Sequence, residues 1–182
     1  MSHASPSASP ADRASPHLVL VGLPGAGKSS AARRVARRTG RPFLDFDEEI
    51  ERREGMTVER IFAERGEPYF RACELALTRE LAAVGGMVLA PGGGWVTSPE
   101  AVALMRPRAT LVYLRLRPEA ALARLRRAHR VRPLLRTDDP LATMRRLLAE
   151  REPAYLSAHH VIDIARTTPS ALVAELARLA GG

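Results

Sequence analysis

The residues Gly22-Leu-Pro-Gly-Ala-Gly-Lys-Ser29 have the composition and spacing of a loop that wraps phosphate groups. Glycine at 22, 25 and 27 lets backbone N–H groups converge on phosphate oxygens with no Cβ in the way, and a helix opening directly after the loop would add its N-terminal positive charge. Lys28 would reach the β- and γ-phosphates, and the Ser29 hydroxyl would ligate Mg²⁺. The plain alternative is a Gly-rich strand-to-helix turn. Composition argues against it: of 28 basic residues only Lys28 is lysine. A chain that otherwise uses arginine keeps, at this one place, a slim three-donor point charge in preference to a planar fork. ATP or GTP with Mg²⁺ is the ligand implied.

A phosphate loop does not choose among kinase, switch and motor, so the choice rests downstream. Asp45 and Asp47 lie at the end of an apolar run, two residues apart, so that strand periodicity would point both the same way. One could hold a metal-bound water and the other a substrate hydroxyl; Glu48 and Glu49 beside them suit a helix N-terminus. Gly92, Gly93 and Gly94 are more bare backbone than a tight turn requires and would suit close approach of an anion such as a carboxylate. Arg71 is either a salt-bridged helix residue or a carboxylate clamp. The Arg130–Arg136 stretch, broken by Pro133, reads either as a solvated charge run or as a lid that places an arginine on a transferring phosphoryl group. Arg151 and Tyr155 end a helical pattern near the same edge; His159 and His160 read as surface residues.

Five apolar, β-branched runs supply the elements to position these groups: His17–Val21, Pro42–Phe46, Met87–Ala90, Thr110–Leu116 and His160–Ile164. They are continuous and not alternating, as in parallel strands covered on both faces. Helical patterns fill the gaps at Ser29–Arg38, Asp47–Arg53, Thr57–Arg65, Pro68–Ala83, Pro99–Met105, Pro118–Ala128, Pro140–Arg151 and Pro169–Leu179, the last capped by Thr168. Alternating strands and helices predict a doubly wound parallel sheet with ligands beyond the carboxyl ends of its strands.

The 182 residues, 46% hydrophobic, fit one domain, expected over 17–182, preceded by a Ser/Ala/Pro-rich tail at 1–16 that is expected to be disordered. A transit peptide is the alternative for the tail, which lacks an amphipathic stripe. No apolar run reaches membrane-spanning length, and the single Cys73 cannot form an intramolecular disulfide, so a cytoplasmic protein without membrane contact is expected. The net charge of +8 raises the question of nucleic acid. With aromatics at 4% and arginines spread along several helices, no nucleic-acid partner is expected.

Taken in order, the phosphate loop, the Leu44-Asp45-Phe46-Asp47 pair, Phe70-Arg71, the triple glycine, Arg132-Pro133-Leu134-Leu135 and Arg151 with Tyr155 resemble shikimate kinases, and the resemblance runs from about His17 to Leu179. It implies a P-loop fold of nucleoside-monophosphate-kinase type with a lid, a sheet of order 2-3-1-4-5 sandwiched by helices, and transfer of the γ-phosphoryl group of MgATP to the 3-hydroxyl of shikimate. It further implies that Gly25, Ala26, Gly27, Lys28, Ser29, Ser30 and Arg132 hold the nucleotide, and that Ser29 and Asp45 hold Mg²⁺. Asp47 would orient or deprotonate the attacking hydroxyl, Arg71 and Arg151 would clamp the carboxylate with Gly93 and Gly94 alongside, and Lys28 and Arg132 would neutralise the moving charge in a monomeric enzyme. Pro91 and Trp95 depart from the small residues usual in the family, and either could alter the substrate pocket. Which of Arg124, Arg126 and Arg127 lies against the base is left open. A gluconate-kinase-like enzyme and a non-catalytic ligand sensor are the competing readings.

Overall fold

A computed structural model describes residues 15–127 and 137–181. Five strands, β1 (His17–Val21), β2 (Phe43–Asp45), β3 (Val88–Ala90), β4 (Ala109–Arg115) and β5 (His160–Asp163), form one parallel sheet in the order β2-β3-β1-β4-β5. Every residue of central β1 is buried, so both faces of the sheet are covered, which is why its sequence carries no alternation. The strands are linked by α1 (Lys28–Thr39), α2 (Phe46–Glu54), α3 (Val58–Ala82), α4 (Pro99–Met105), α5 (Pro118–Arg127), α6 (Pro140–Leu156) and α7 (Pro169–Gly181). Helix α1 packs on α7, α3 on α4, and α5 on α6. Among the described residues no helix is long and apolar enough to cross a membrane.

The expected strands all form, with β2 and β3 shorter at their ends than the apolar runs. Residues 57–83 were expected as two helices, and α3 is two helical segments run together across Gly66, whose φ of 82° and ψ of 166° break the spiral. Pro68 then sits in the first turn of the second segment, where its missing N–H costs little. Helix α6 differs from expectation. The helical pattern is expected over Pro140–Arg151, and the helix continues to Leu156 with Pro153 inside. The extra turn is held by Tyr155, fully buried and stacked on Tyr113 of β4 with ring centroids 4.9 Å apart. Burial of that ring outweighs the backbone bond the proline removes.

At the start of β1, His17 is buried and bridges chain segments far apart in sequence. Its Nδ1 accepts from the Met87 backbone N–H at 3.2 Å, so Nε2 carries the proton and donates toward the Leu81 and Val84 carbonyls. Burial lowers its pKa.

Candidate active site

The phosphate loop turns between β1 and α1 at the carboxyl edge of the sheet. Gly22, Gly25 and Gly27 all have positive φ, at 144°, 82° and 84°. Two of them are also approached from outside: a Cβ on Gly22 would lie 2.7 Å from the Leu114 carbonyl oxygen, and one on Gly25 would collide with the Ala121 carbonyl and lie 2.9 Å from the Leu125 side chain. The loop is thus wedged against β4 and α5, and glycine is required there for packing as well as for dihedral freedom. Lys28 is buried, its Nζ donating to the Gly22 carbonyl at 2.9 Å and the Leu23 carbonyl at 3.2 Å.

A cavity of about 500 Å³ opens above this loop, walled by Gly25, Gly27, Lys28, Ser29 and Ser30, by Asp45 and Asp47, and by Pro91 to Gly93. Arg33, Arg34, Arg37 and Arg124 add positive charge to its rim, which suits a polyphosphate. Of the three arginines left open by the sequence, Arg124 lines the cavity.

Asp45 and Asp47 do reach one site, although by a different route from the expected strand periodicity. The strand ends at Asp45, which caps α2: its Oδ1 accepts from the Asp47 N–H at 3.0 Å and the Glu48 N–H at 3.3 Å. Asp47 therefore sits in the first turn of a helix. Asp45 is buried, and burial pushes its carboxyl above the usual range, opposed by a hydrogen bond from Ser29. A hydroxyl and a carboxylate together, hard oxygen donors beside a polyphosphate cavity, fit Mg²⁺, which takes one or two protein oxygens and completes its shell with phosphate and water.

The triple glycine lies along α3. A Cβ on Gly92 would stand 2.8 Å from Glu74 Oε1 and 3.3 Å from Asp47 Oδ1, and one on Gly94 would collide with the Arg71 guanidinium. Arg71 donates from Nη1 to Glu74 Oε2 at 2.6 Å and from Nη2 to Glu67 at 2.6 Å, so it is salt-bridged and also aimed at the glycine loop. From the other side, the Tyr155 hydroxyl donates to the Gly93 carbonyl at 2.5 Å. Burial pushes the Tyr155 hydroxyl up to about 12, against the nearby Arg151, which is itself buried and hydrogen-bonds Tyr155. Arg71, Gly94 and Arg151 stand behind the cavity wall, joined to it through Gly92, Gly93 and Glu74.

Glu74 is the residue that sequence reasoning missed. It is 2% exposed, its Oε1 has no hydrogen-bond partner among the described residues, and burial pushes its carboxyl up to about 7. The available signal was its place three residues after Arg71 on one helix face. Of Pro91 and Trp95, either of which could alter the pocket, Trp95 does not line the cavity. It is 1% exposed in the core, edge-on to Phe46, and its indole N–H donates to Thr78 Oγ1 at 2.9 Å; Pro91 is the departure that lines the cavity. Arg132, with the rest of the arginine-rich stretch from 128 to 136, lies outside the described residues.

A strand–glycine loop–helix cradle with a buried lysine, beside an acid pair on a parallel sheet, defines a P-loop phosphotransferase. Residues 24–180 match the shikimate kinase family model. A shikimate kinase of Cupriavidus pinatubonensis is 43% identical over 164 residues, covering 90% of this chain and 83% of that one. The chain belongs to the shikimate kinase family. The structure of a shikimate kinase from Acinetobacter baumannii in complex with shikimate superposes with a TM-score of 0.86 at 37% identity, over 93% of this chain and 94% of that one. A gluconokinase from Sinorhizobium meliloti shares the fold, with a TM-score of 0.57 at 20% identity over 91% of this chain and 94% of that one.

Proposed function

We propose that this chain transfers the γ-phosphoryl group of ATP to the 3-hydroxyl of shikimate, giving shikimate 3-phosphate and ADP. The observation that carries the assignment is the convergence of Asp47, Glu74 and Arg71 on the Gly92–Gly94 loop, beside the phosphate cradle. A cation clamp at Arg71 and Arg151 suits a carboxylate, and Asp47, with the buried, unpartnered Oε1 of Glu74 behind Gly92, suits hydroxyl groups on the same small ring.

In this reading Asp47 holds the attacking hydroxyl and takes its proton as the new O–P bond forms and the β,γ-bridge O–P bond breaks, leaving the electron pair on ADP. Lys28 turns from the Gly22 and Leu23 carbonyls to the phosphoryl oxygens. Ser29 and Asp45 would hold Mg²⁺, which would neutralise phosphate charge. Gly25, Ala26, Gly27 and Ser30 line the phosphates, Arg124 packs toward the base, and Arg132 acts on the moving phosphoryl group. Catalysis is then mainly positioning and charge stabilisation. Because the described groups assigned come from one chain, a monomer is sufficient, and the cytoplasm is the proposed setting. No nucleic-acid partner is invoked.

A coupled assay for ADP release against a panel of hydroxy acids tests the assignment. Shikimate should be the turned-over acceptor at millimolar concentration, and Asp47→Asn should lower kcat by roughly 10²-fold or more with ATP affinity intact. Turnover of gluconate without shikimate, or shikimate binding without turnover, would replace this reading with one of its competitors.

A further inference from the structure

Trp95 is the single tryptophan of the chain, and its side chain sits behind the acceptor site where the segments that build it meet. Its own backbone N–H closes the glycine turn on the Gly92 carbonyl at 3.1 Å. Its ring lies edge-on to Phe46, centroids 6.4 Å apart, and Phe46 is the residue between Asp45 and Asp47. Its indole N–H bonds Thr78 Oγ1, and that hydroxyl in turn donates to the Glu74 carbonyl at 2.7 Å. Both Trp95 and Thr78 are sealed from solvent, and the turn that Trp95 opens packs against α6, which carries Arg151 and Tyr155.

Along α3, positions 71, 74 and 78 fall on one face, and the glycine loop meets all three: Gly94 at Arg71, Gly92 at Glu74, Trp95 at Thr78. A flexible run of glycines has no side chains with which to fix its own register against a helix. The Trp95–Thr78 bond supplies that register. We infer that Trp95 and Thr78 form a positioning pair that sets the glycine loop against Arg71 and Glu74, and thereby fixes the acceptor site without touching the acceptor. The phosphate loop takes its own close packing from Leu114 and Ala121, and meets the glycine loop where Gly93 lies against Pro24 and the Gly22 carbonyl. The pair should therefore act on the acceptor far more than on the nucleotide. This inference rests on the proposed function for the identity of the acceptor.

The test compares steady-state constants of the full chain and its Trp95→Phe, Thr78→Val, Thr78→Ser and Trp95→Phe/Thr78→Val variants. Phenylalanine keeps the edge-on contact and loses the N–H. We expect KM for shikimate to rise about fivefold in Trp95→Phe and in Thr78→Val, the ratio set by one net hydrogen bond, with KM for ATP within about twofold of wild type. The double variant should be no worse than the weaker single one, because both remove the same bond. Thr78→Ser, which restores the oxygen, should return KM for shikimate to the wild-type range. Should Trp95→Phe fail to fold, the two Thr78 variants decide the question with the indole in place. Lowered thermal stability with unchanged KM for shikimate, or equal rises in both KM values, would reduce the pair to ordinary core packing and overturn the inference while the assigned activity stands. Absence of shikimate turnover in the wild type would overturn both.

Discussion

The phosphate loop and the glycine loop both present bare backbone to a ligand, but they are shaped by different means. The first is eight contiguous residues whose glycines adopt positive φ and whose lysine braces two carbonyls of its own turn. The second has three glycines with no such backbone signature and takes its shape from α3, α6 and Trp95 around it. A loop whose conformation is written in its own glycines should fail abruptly when those residues change. A loop held by its surroundings should lose function in graded steps as each support is removed.

The largest effect expected from breaking this contrast is at Lys28. Lys28→Met should lower kcat by roughly 10³-fold or more, because the residue meets charge that develops on the phosphoryl group. Thermal denaturation of the same variant should show a loss of only a few degrees, since two hydrogen bonds to carbonyls are removed from a loop also held by packing. At the acceptor end Arg71→Ala should raise KM for shikimate by roughly tenfold or more and leave KM for ATP near its wild-type value, which steady-state kinetics would separate. A fall in kcat alone would contradict the clamp.

Glu74 sharpens the contrast through pH. Its pKa is raised by burial from 4.5 to about 7, so the folded state favours the protonated form, and the stability this contributes is fully present below the unfolded value and lost as pH rises through about 7. The thermal midpoint of wild type should therefore fall by a few degrees relative to Glu74→Gln between about pH 5 and about pH 8. The same variant should bind shikimate more weakly at every pH. The smallest effect belongs to His17, far from either loop. Its pKa is lowered by burial, so its contribution is present above the unfolded value of 6.5 and lost as pH falls. Relative to His17→Asn, wild type should lose on the order of a degree or two of melting temperature on acidification below that point.

The contrast also explains what could be read from the sequence. The phosphate loop was legible in full because its function needs only neighbours in the chain, and the strand runs were legible because buried parallel strands are apolar throughout. The aspartate pair was legible as a pair, but its geometry comes from a helix cap at Asp45 that a strand-based argument could not supply. Glu74 closes the acidic and apolar stretch around Arg71, and nothing in that stretch shows that the fold lays Gly92 against it. Trp95 departs from the small residue usual in the family, but the sequence does not tell that a hydrogen bond to Thr78, 17 residues away, turns it inward. Pro153 shows the same limit, since the stacking of Tyr155 on Tyr113 depends on a partner 42 positions upstream, and local propensity cannot register it.

The solitary lysine has a chemical consequence of its own. Lys28 is the only side-chain amine in the molecule, and it is nearly closed to solvent within a turn of bare backbone. Reagents that modify primary amines therefore meet one internal target, which lies at the heart of the nucleotide site. Acylation there would remove the charge and silence the enzyme in proportion to label incorporated, while bound ATP would shield it. A protein otherwise furnished with guanidinium groups thus carries a single covalent address for the occupancy of its own cradle.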